Sequence, residues 1–338
     1  NVGFKNVSGR GFDTYIDYEG WKADAGDGRA HKAENLNDVA LPELERLASQ
    51  EKPFFLFLRH MDPHSPYLPP KPYDKMFYQM NEFDPDNHSL DPVMAFKPFC
   101  DYFATWFPEG CTDKDYIISQ YDSAIAYMDT CIQVILQKLK DLGLENDTLV
   151  VFTSDHGETL HDHDCYYDHH SLYDPTLVVP LAFRFPGRIP QGARVDDTCR
   201  LQDVTPTVLD ILGIDTGINF DGRSLLPLAM GTPMPKIDEF YITECTWMRK
   251  HGWRTPKWKY IKALEPDFHF KPEVELYDLE NDPLEYTNIA ELRQDIVMML
   301  DKKMNDFIQG REKEVGRTNP MHNNPNWHGL NIGRGFLS

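Results

Sequence analysis

Histidines and carboxylates crowd one short stretch of the chain. Five of the 13 histidines (His156, His161, His163, His169 and His170) fall within residues 155–170, and Asp155, Glu158, Asp162, Asp164 and Asp168 share that window. Carboxylates set this close repel one another, and a bound cation offsets the repulsion. Asp155-His156 stands where the apolar run Leu149-Val150-Val151-Phe152 meets Gly157, which puts a hard oxygen and an imidazole side by side. This pair is the expected metal-binding element. The other acids and histidines of the window are read as supporting or solvent-facing. The plainer alternative is an acidic surface loop with incidental histidines.

A second candidate lies upstream. His64 sits in Arg59-His60-Met61-Asp62-Pro63-His64-Ser65-Pro66-Tyr67-Leu68-Pro69-Pro70, which holds four prolines within residues 63–70. Rigid backbone on both sides preorganises a side chain for a ligand. His60 suits either a substrate contact or a hydrogen-bonded structural role. Of His169 and His170, one is expected to point into the site and the other away. Together these residues describe a metal-assisted hydrolase acting on an anionic group, with imidazoles to neutralise an oxyanion and protonate a leaving group. A phosphate, a sulfate or a carboxyl derivative would serve such parts equally.

The elements that must position these residues read as α/β. Residues 37–49 carry a helix pattern. The continuous apolar run Phe54-Phe55-Leu56-Phe57-Leu58 predicts a strand buried on both faces, as in parallel sheets, delivering the His64 loop at its end. Residues 72–112, rich in Pro, Asp, Phe and Tyr, read as an irregular insertion, which could wall a subsite for a sugar or aryl group. The longest helix is predicted over 115–142, with its stripe at Tyr121, Ala124, Ile125, Met128, Ile132, Ile135, Leu139 and Leu142. Strand, loop and helix then alternate through residues 149–152, 179–185 and 205–212, with sites expected at the carboxyl ends of strands. The texture changes near residue 236. Residues 1–235 are therefore read as a core domain and 236–338 as a smaller one. The smaller one has strands at 240–244, 257–261 and 275–279, a helix over 289–310 and an extended tail.

Composition narrows the field. The 338 residues are 41% hydrophobic and 26% charged, which are globular values. No run approaches the roughly 18 apolar residues that a membrane helix needs. A formal net charge of -20 and the lack of any basic block argue against nucleic acid as a partner. The six cysteines form no C-x-x-C pair, which disfavours zinc ribbons and thiol redox chemistry. Cys100 and Cys111 could bridge, free thiols being the plainer reading. Oligomeric state is not legible.

With these motifs in place, the chain resembles the type I sulfatases of the alkaline phosphatase superfamily. The likeness runs through Gly11-Phe12-Asp13, Asp62-Pro63-His64-Ser65-Pro66-Tyr67, Thr153-Ser154-Asp155-His156-Gly157-Glu158 and Tyr173-Asp174. It continues through Asp203-Val204-Thr205-Pro206-Thr207-Val208-Leu209-Asp210, Gly222-Arg223-Ser224-Leu225 and Glu275-Leu276-Tyr277-Asp278-Leu279-Glu280-Asn281-Asp282-Pro283, in order. It implies an alkaline-phosphatase-like core sheet flanked by helices, with a smaller C-terminal α+β subdomain. It implies that Asp155 and His156 ligate a divalent cation, most often Ca2+, with Mg2+ or Mn2+ as alternatives. His64 would contact the sulfate and help protonate the leaving oxygen. His169 stands where the family commonly has a lysine, with His170 beside it, and a histidine there carries a charge that depends on pH. His169 is thus the second expected catalytic residue; His60 and His170 are the expected substrate contacts.

The family's nucleophile is a formylglycine made within Cys/Ser-x-Pro-x-Arg, and no cysteine or serine of these 338 residues lies in that motif. The expectation is a chain matching the C-terminal two-thirds of a sulfatase, inactive by itself and complete with an N-terminal segment, possibly a separate polypeptide. The implied substrate is a small-molecule or saccharide sulfate ester, and export to a periplasm or the exterior is favoured. A phosphonate or phosphodiester hydrolase or phosphotransferase of the same superfamily, and a non-catalytic metal-binding relic, are the competing readings.

Overall fold

The computed structural model describes residues 9–16, 33–246 and 248–323. The tail expected to be extended from residue 311 is not so where it is described: residues 311–315 continue the helix that begins at Gln294 and residues 320–323 form a short helix, while the rest lies outside the described residues. In chain order the helices are Ala33–Ala48 (α1), Asp91–Ala95 (α2), Lys97–Ala104 (α3), Lys114–Asp141 (α4), Asp174–Leu177 (α5), Val204–Leu212 (α6), Leu226–Ala229 (α7), Gln294–Val315 (α8) and Pro320–Asn323 (α9). The strands are Val150–Thr153 (β1), Leu181–Arg184 (β2), Phe240–Glu244 (β3), Lys250–Arg254 (β4), Trp258–Ala263 (β5) and Val274–Asp278 (β6). The architecture is mixed α/β. Its residues group into two compact units, one of residues 1–95 and 100–148, the other of 96–99 and 149–338.

The first unit is built on α1 and α4. The side chain of Asp62, 29 residues away in sequence, accepts from the first backbone N–H of α1 (Ala33 N to Asp62 Oδ2, 2.7 Å), supplying a cap that the local sequence lacks. Helix α4 begins at Asp113, whose carboxylate accepts from Asp115 N at 2.9 Å and from the Tyr78 hydroxyl at 2.7 Å. Those bonds hold the Asp113 carboxyl below its usual range even though burial alone would raise it. The buried stripe of α4 runs through Ile117, Gln120, Ala124, Tyr127, Cys131, Ile135 and Leu139. It is rotated from the expected one and leaves Ile125 39% exposed. The rotation follows from polar side chains that find partners inside: Gln120 donates to Asp74 O at 2.8 Å.

Two expectations about strands are corrected. Residues 54–58 form no strand and, among the described residues, belong to no ladder, and burial alternates instead of covering both faces. Phe55 is 71% exposed and Phe57 66%. No parallel pairing is found among the described residues: β1 pairs antiparallel with β2, and β3–β4–β5–β6 form an antiparallel meander. A strand becomes buried on both faces only when neighbours cover it, and a hydrophobic run by itself does not supply them.

In the second unit the four-stranded sheet carries a core on each face. Trp253, Tyr260 and Leu276 pack against Leu300, Met304 and Ile308 of α8. Ile242, Ile261 and Tyr277 meet Cys165, Leu172 and Tyr173. Adjacent residues such as Tyr260 and Ile261 serve opposite faces, the period-two rule of strands. This second face anchors the loop that carries the histidine cluster. All six cysteines are free thiols.

Candidate active site

Strand β1 ends at Thr153 and hands the chain to Ser154-Asp155-His156-Gly157-Glu158. The turn is tied internally. The Ser154 hydroxyl donates to His156 O at 2.7 Å, and Gly157 N donates to Thr176 O at 2.8 Å. Gly157 is required by crowding: a Cβ there would lie 2.0 Å from Pro175 O. Gly157→Ala should therefore push the 155–158 turn from α5 and cost at least about 1–3 kcal/mol, read as a lowered unfolding midpoint. An unchanged midpoint would show that the two segments part freely.

His156 Nδ1 lies 2.9 Å from Gly157 O, which assigns its proton to Nδ1 and turns Nε2 outward, 3.8 Å from Asp155 Oδ1. The Asp155 carboxylate is 70% exposed. An imidazole nitrogen and a hard carboxylate oxygen thus share one opening. They suit a divalent cation as part of a donor set: Ca2+ takes about six to eight ligands, and no group of three candidate ligands occurs among the described residues.

His169 stacks on His156 with ring centroids 4.1 Å apart and planes 19° apart. Its Nδ1 is 3.6 Å from Oε1 of the buried Glu158. Burial, with His170 and His156 alongside, lowers the His169 pKa to about 4. Its imidazole is neutral at pH 7, so the pH at which its charge changes lies well below neutrality. His170 is 5% exposed and sits deeper, its ring parallel to Phe99 at 6.0 Å. The structure therefore brings Asp155, His156, His169 and His170 together, with His169 against the Asp155-His156 turn and His170 in the layer beneath.

His60 and His64 belong to the first unit. His64 is exposed, its N–H donates to Met61 O at 2.6 Å, and its Nδ1 lies 2.6 Å from Ser65 O. The loop is tied down by the Tyr102 hydroxyl on Ser65 Oγ at 3.0 Å. It is also held by buried Tyr67, packed edge-on against Trp106 and Tyr121, each at 5.2 Å. His60 is half-buried with a pKa lowered by that burial, and its buried Nε2 has no hydrogen-bond partner among the described residues.

Three further groups that face the histidines carry no signal in the local sequence. His269, from the β5–β6 connection, sets Nε2 3.1 Å from Asp168 Oδ2. Phe96 stacks on the His269 ring at 5.3 Å and 4°. Glu244, near the end of β3, is buried and its pKa is raised by burial against the opposing pull of His170 and His169. Each lies dozens of residues from its partner, so no spacing announces it.

The sulfatase family model matches residues 2–214, and the chain belongs to that family. A second model, the C-terminal region of N-sulphoglucosamine sulphohydrolase, matches residues 162–310. Among curated relatives, arylsulfatase K of Bos taurus is 31% identical over 305 residues, covering 80% of this chain and 54% of its own length. Choline-sulfatase of Rhizobium meliloti (strain 1021) is 30% identical over 276 residues, covering 76% and 50%. The chain thus spans about half the length of these relatives. Among solved structures, the phosphonate monoester hydrolase of Agrobacterium radiobacter superposes with a TM-score of 0.63 at 26% identity, over 84% of this chain and 61% of the other. A protein solved with its substrate D-glucosamine-2-N,6-O-disulfate superposes with a TM-score of 0.62 at 21% identity, over 82% and 69%, which shows a shared fold.

Proposed function

We propose that this chain carries part of the active site of a sulfatase that cleaves a sulfate monoester. The observation that carries the reading is the turn after β1, where Asp155 and His156 lie side by side and the His169 ring stacks on His156. Asp155 and His156 would contribute donors to a divalent cation, Ca2+ by family likeness. When bound, the cation would offset the charge of the sulfate oxygens. A formylglycine, the family's nucleophile, would come from outside these 338 residues.

The chain's own residues divide the remaining work. His64, exposed on a tied loop, would contact the sulfate and pass a proton to the leaving oxygen. His169, neutral at pH 7, would offer a hydrogen bond where the family's lysine offers a charge. His60 and His170 are the proposed further substrate contacts, and both act from half-buried or buried positions. A small or saccharide sulfate ester is the proposed substrate class, in keeping with the names of the relatives, a choline-sulfatase and an N-sulphoglucosamine sulphohydrolase among them.

Phosphonate monoester hydrolysis is the second reading, favoured by the superposition on the Agrobacterium enzyme. A direct comparison decides between them. The chain together with a formylglycine-bearing segment, loaded with Ca2+ and then with Mn2+, is given 4-nitrophenyl sulfate and a 4-nitrophenyl phosphonate monoester. Higher kcat/KM on the sulfate, lost on chelation, is the expected result. Preference for the phosphonate would transfer the assignment, and turnover of neither would sink both readings.

A further inference from the structure

The imidazoles beside the metal-binding turn are held from behind by a buried carboxylate. Asp168 is 5% exposed, and its backbone is locked to Thr159: Thr159 N donates to Asp168 O at 2.8 Å, Asp168 N to Thr159 O at 3.1 Å, and the Thr159 hydroxyl to Asp168 O at 2.7 Å. Its carboxylate then reaches in two directions. Oδ1 accepts from His170 N at 2.8 Å and lies 3.7 Å from His170 Nδ1. Oδ2 faces His269 Nε2 at 3.1 Å, a close polar contact without hydrogen-bond alignment. His269, its side chain fully buried, is fixed in turn by the face of Phe96.

This arrangement governs His169. Residues 168, 169 and 170 are consecutive, so pinning the first by Thr159 and the third by a carboxylate leaves the middle ring little room. It lies between His156 at 4.1 Å and His170 at 4.7 Å. Glu158, next to Thr159 in sequence, faces its Nδ1 from the other side of the bridge. A buried carboxylate is costly, and a packed apolar side chain would serve stability at lower desolvation cost. An apolar group could not engage two imidazoles and a backbone N–H at once.

We propose that Asp168 and His269 are positioning residues that set the ring of His169, so that the β5–β6 connection of the C-terminal sheet takes part in aligning the active site. The catalytic half of the statement rests on the proposed role of His169; the structural half does not. The test therefore reads both. In 15N-edited imidazole spectra of the full 338-residue chain, with His169 assigned through His169→Asn, Asp168→Asn and His269→Leu should each move the His169 resonances. His269→Gln, which keeps an N–H toward Asp168, should leave them near wild type. In the intact enzyme Asp168→Asn and His269→Leu should lower kcat for a sulfate ester by about 10–100-fold while KM moves less than about twofold. Unmoved His169 resonances in either folded variant overturn the proposal whatever the activity. A wild-type enzyme that turns over no sulfate ester overturns the proposed function instead and leaves the resonance test to decide the positioning role.

Discussion

Replacing His64 with alanine is expected to lower kcat for sulfate esters of poor leaving groups by about 10²–10⁴-fold, the usual worth of a positioned proton donor. The size of the loss should depend on the alcohol released. An alkyl alkoxide leaves only as a proton arrives, whereas a nitrophenolate is stable unprotonated and needs little help. A plot of log kcat against leaving-group pKa should be shallow in the parent enzyme and steep in His64→Ala, with the two lines meeting near the best leaving groups. Parallel lines would assign His64 to sulfate binding and leave proton donation elsewhere. The loop supports the first outcome. His64 is exposed on a backbone tied through Met61 O and the Tyr102–Ser65 bond, so the ring is presented and not buried.

Lys259→Met should be strongly destabilising although it lies outside the apolar core. Lys259 Nζ lies 2.5 Å from Asp174 Oδ1 and 2.5 Å from Glu285 Oε1, and the Lys259 and Glu285 side chains are fully buried. Removing one partner of a buried pair costs about 3–5 kcal/mol, because the other charge is left in a poor solvent. That corresponds to a drop of roughly 10 °C in the unfolding midpoint for a unit of this size. Asp174 keeps Arg254 at 2.8 Å, so Glu285 bears the loss. Its pKa is already raised by burial, which Lys259 opposes; without the lysine it rises further. A carboxyl whose folded pKa exceeds its unfolded value stabilises below the unfolded value and loses that contribution as pH rises through the folded one. The variant should therefore be least impaired near pH 4.5 and most impaired at neutral pH, and Glu285→Gln should restore part of the midpoint. A deficit independent of pH would place the damage in packing. The knot bears on the site as well: Glu285 Oε2 accepts from Asp174 N at 2.7 Å, at the start of α5, whose Pro175 carbonyl crowds Gly157.

What could be read from sequence followed the physics that each segment obeys. Helix α4 was legible because apolar residues recur at helical spacing, and β3, β5 and β6 because aromatic and branched residues cluster between turn formers. Strand β4 was not legible. Lys250-His251-Gly252-Trp253-Arg254 has no hydrophobic alternation. It is buried because Lys250 is neutralised by Asp267 and Glu275, and because Gly252 lets the backbone approach Tyr260 O, where a Cβ would sit at 2.2 Å. Charge pairing across 17 and 25 residues leaves no local trace. The candidate site divides the same way. Asp155 and His156 were visible at a strand end, and the crowding of histidines marked the loop. The Asp168–His269 contact, formed across 101 residues, depends on the fold having closed.

The alternating segment 54–58 has a consequence for handling the protein in solution. It leaves Phe55 and Phe57 largely exposed, with Phe12 5.8 Å from Phe55, an apolar surface that can meet another molecule. The formal charge of -20 works against such encounters by holding molecules apart. That repulsion weakens as the screening length contracts to about 3 Å in molar salt, while apolar contact does not weaken. The expected result is a light-scattering radius that stays small in dilute buffer and grows in molar salt, with Phe55→Ser reducing the growth; a radius indifferent to salt would remove this stretch as the cause.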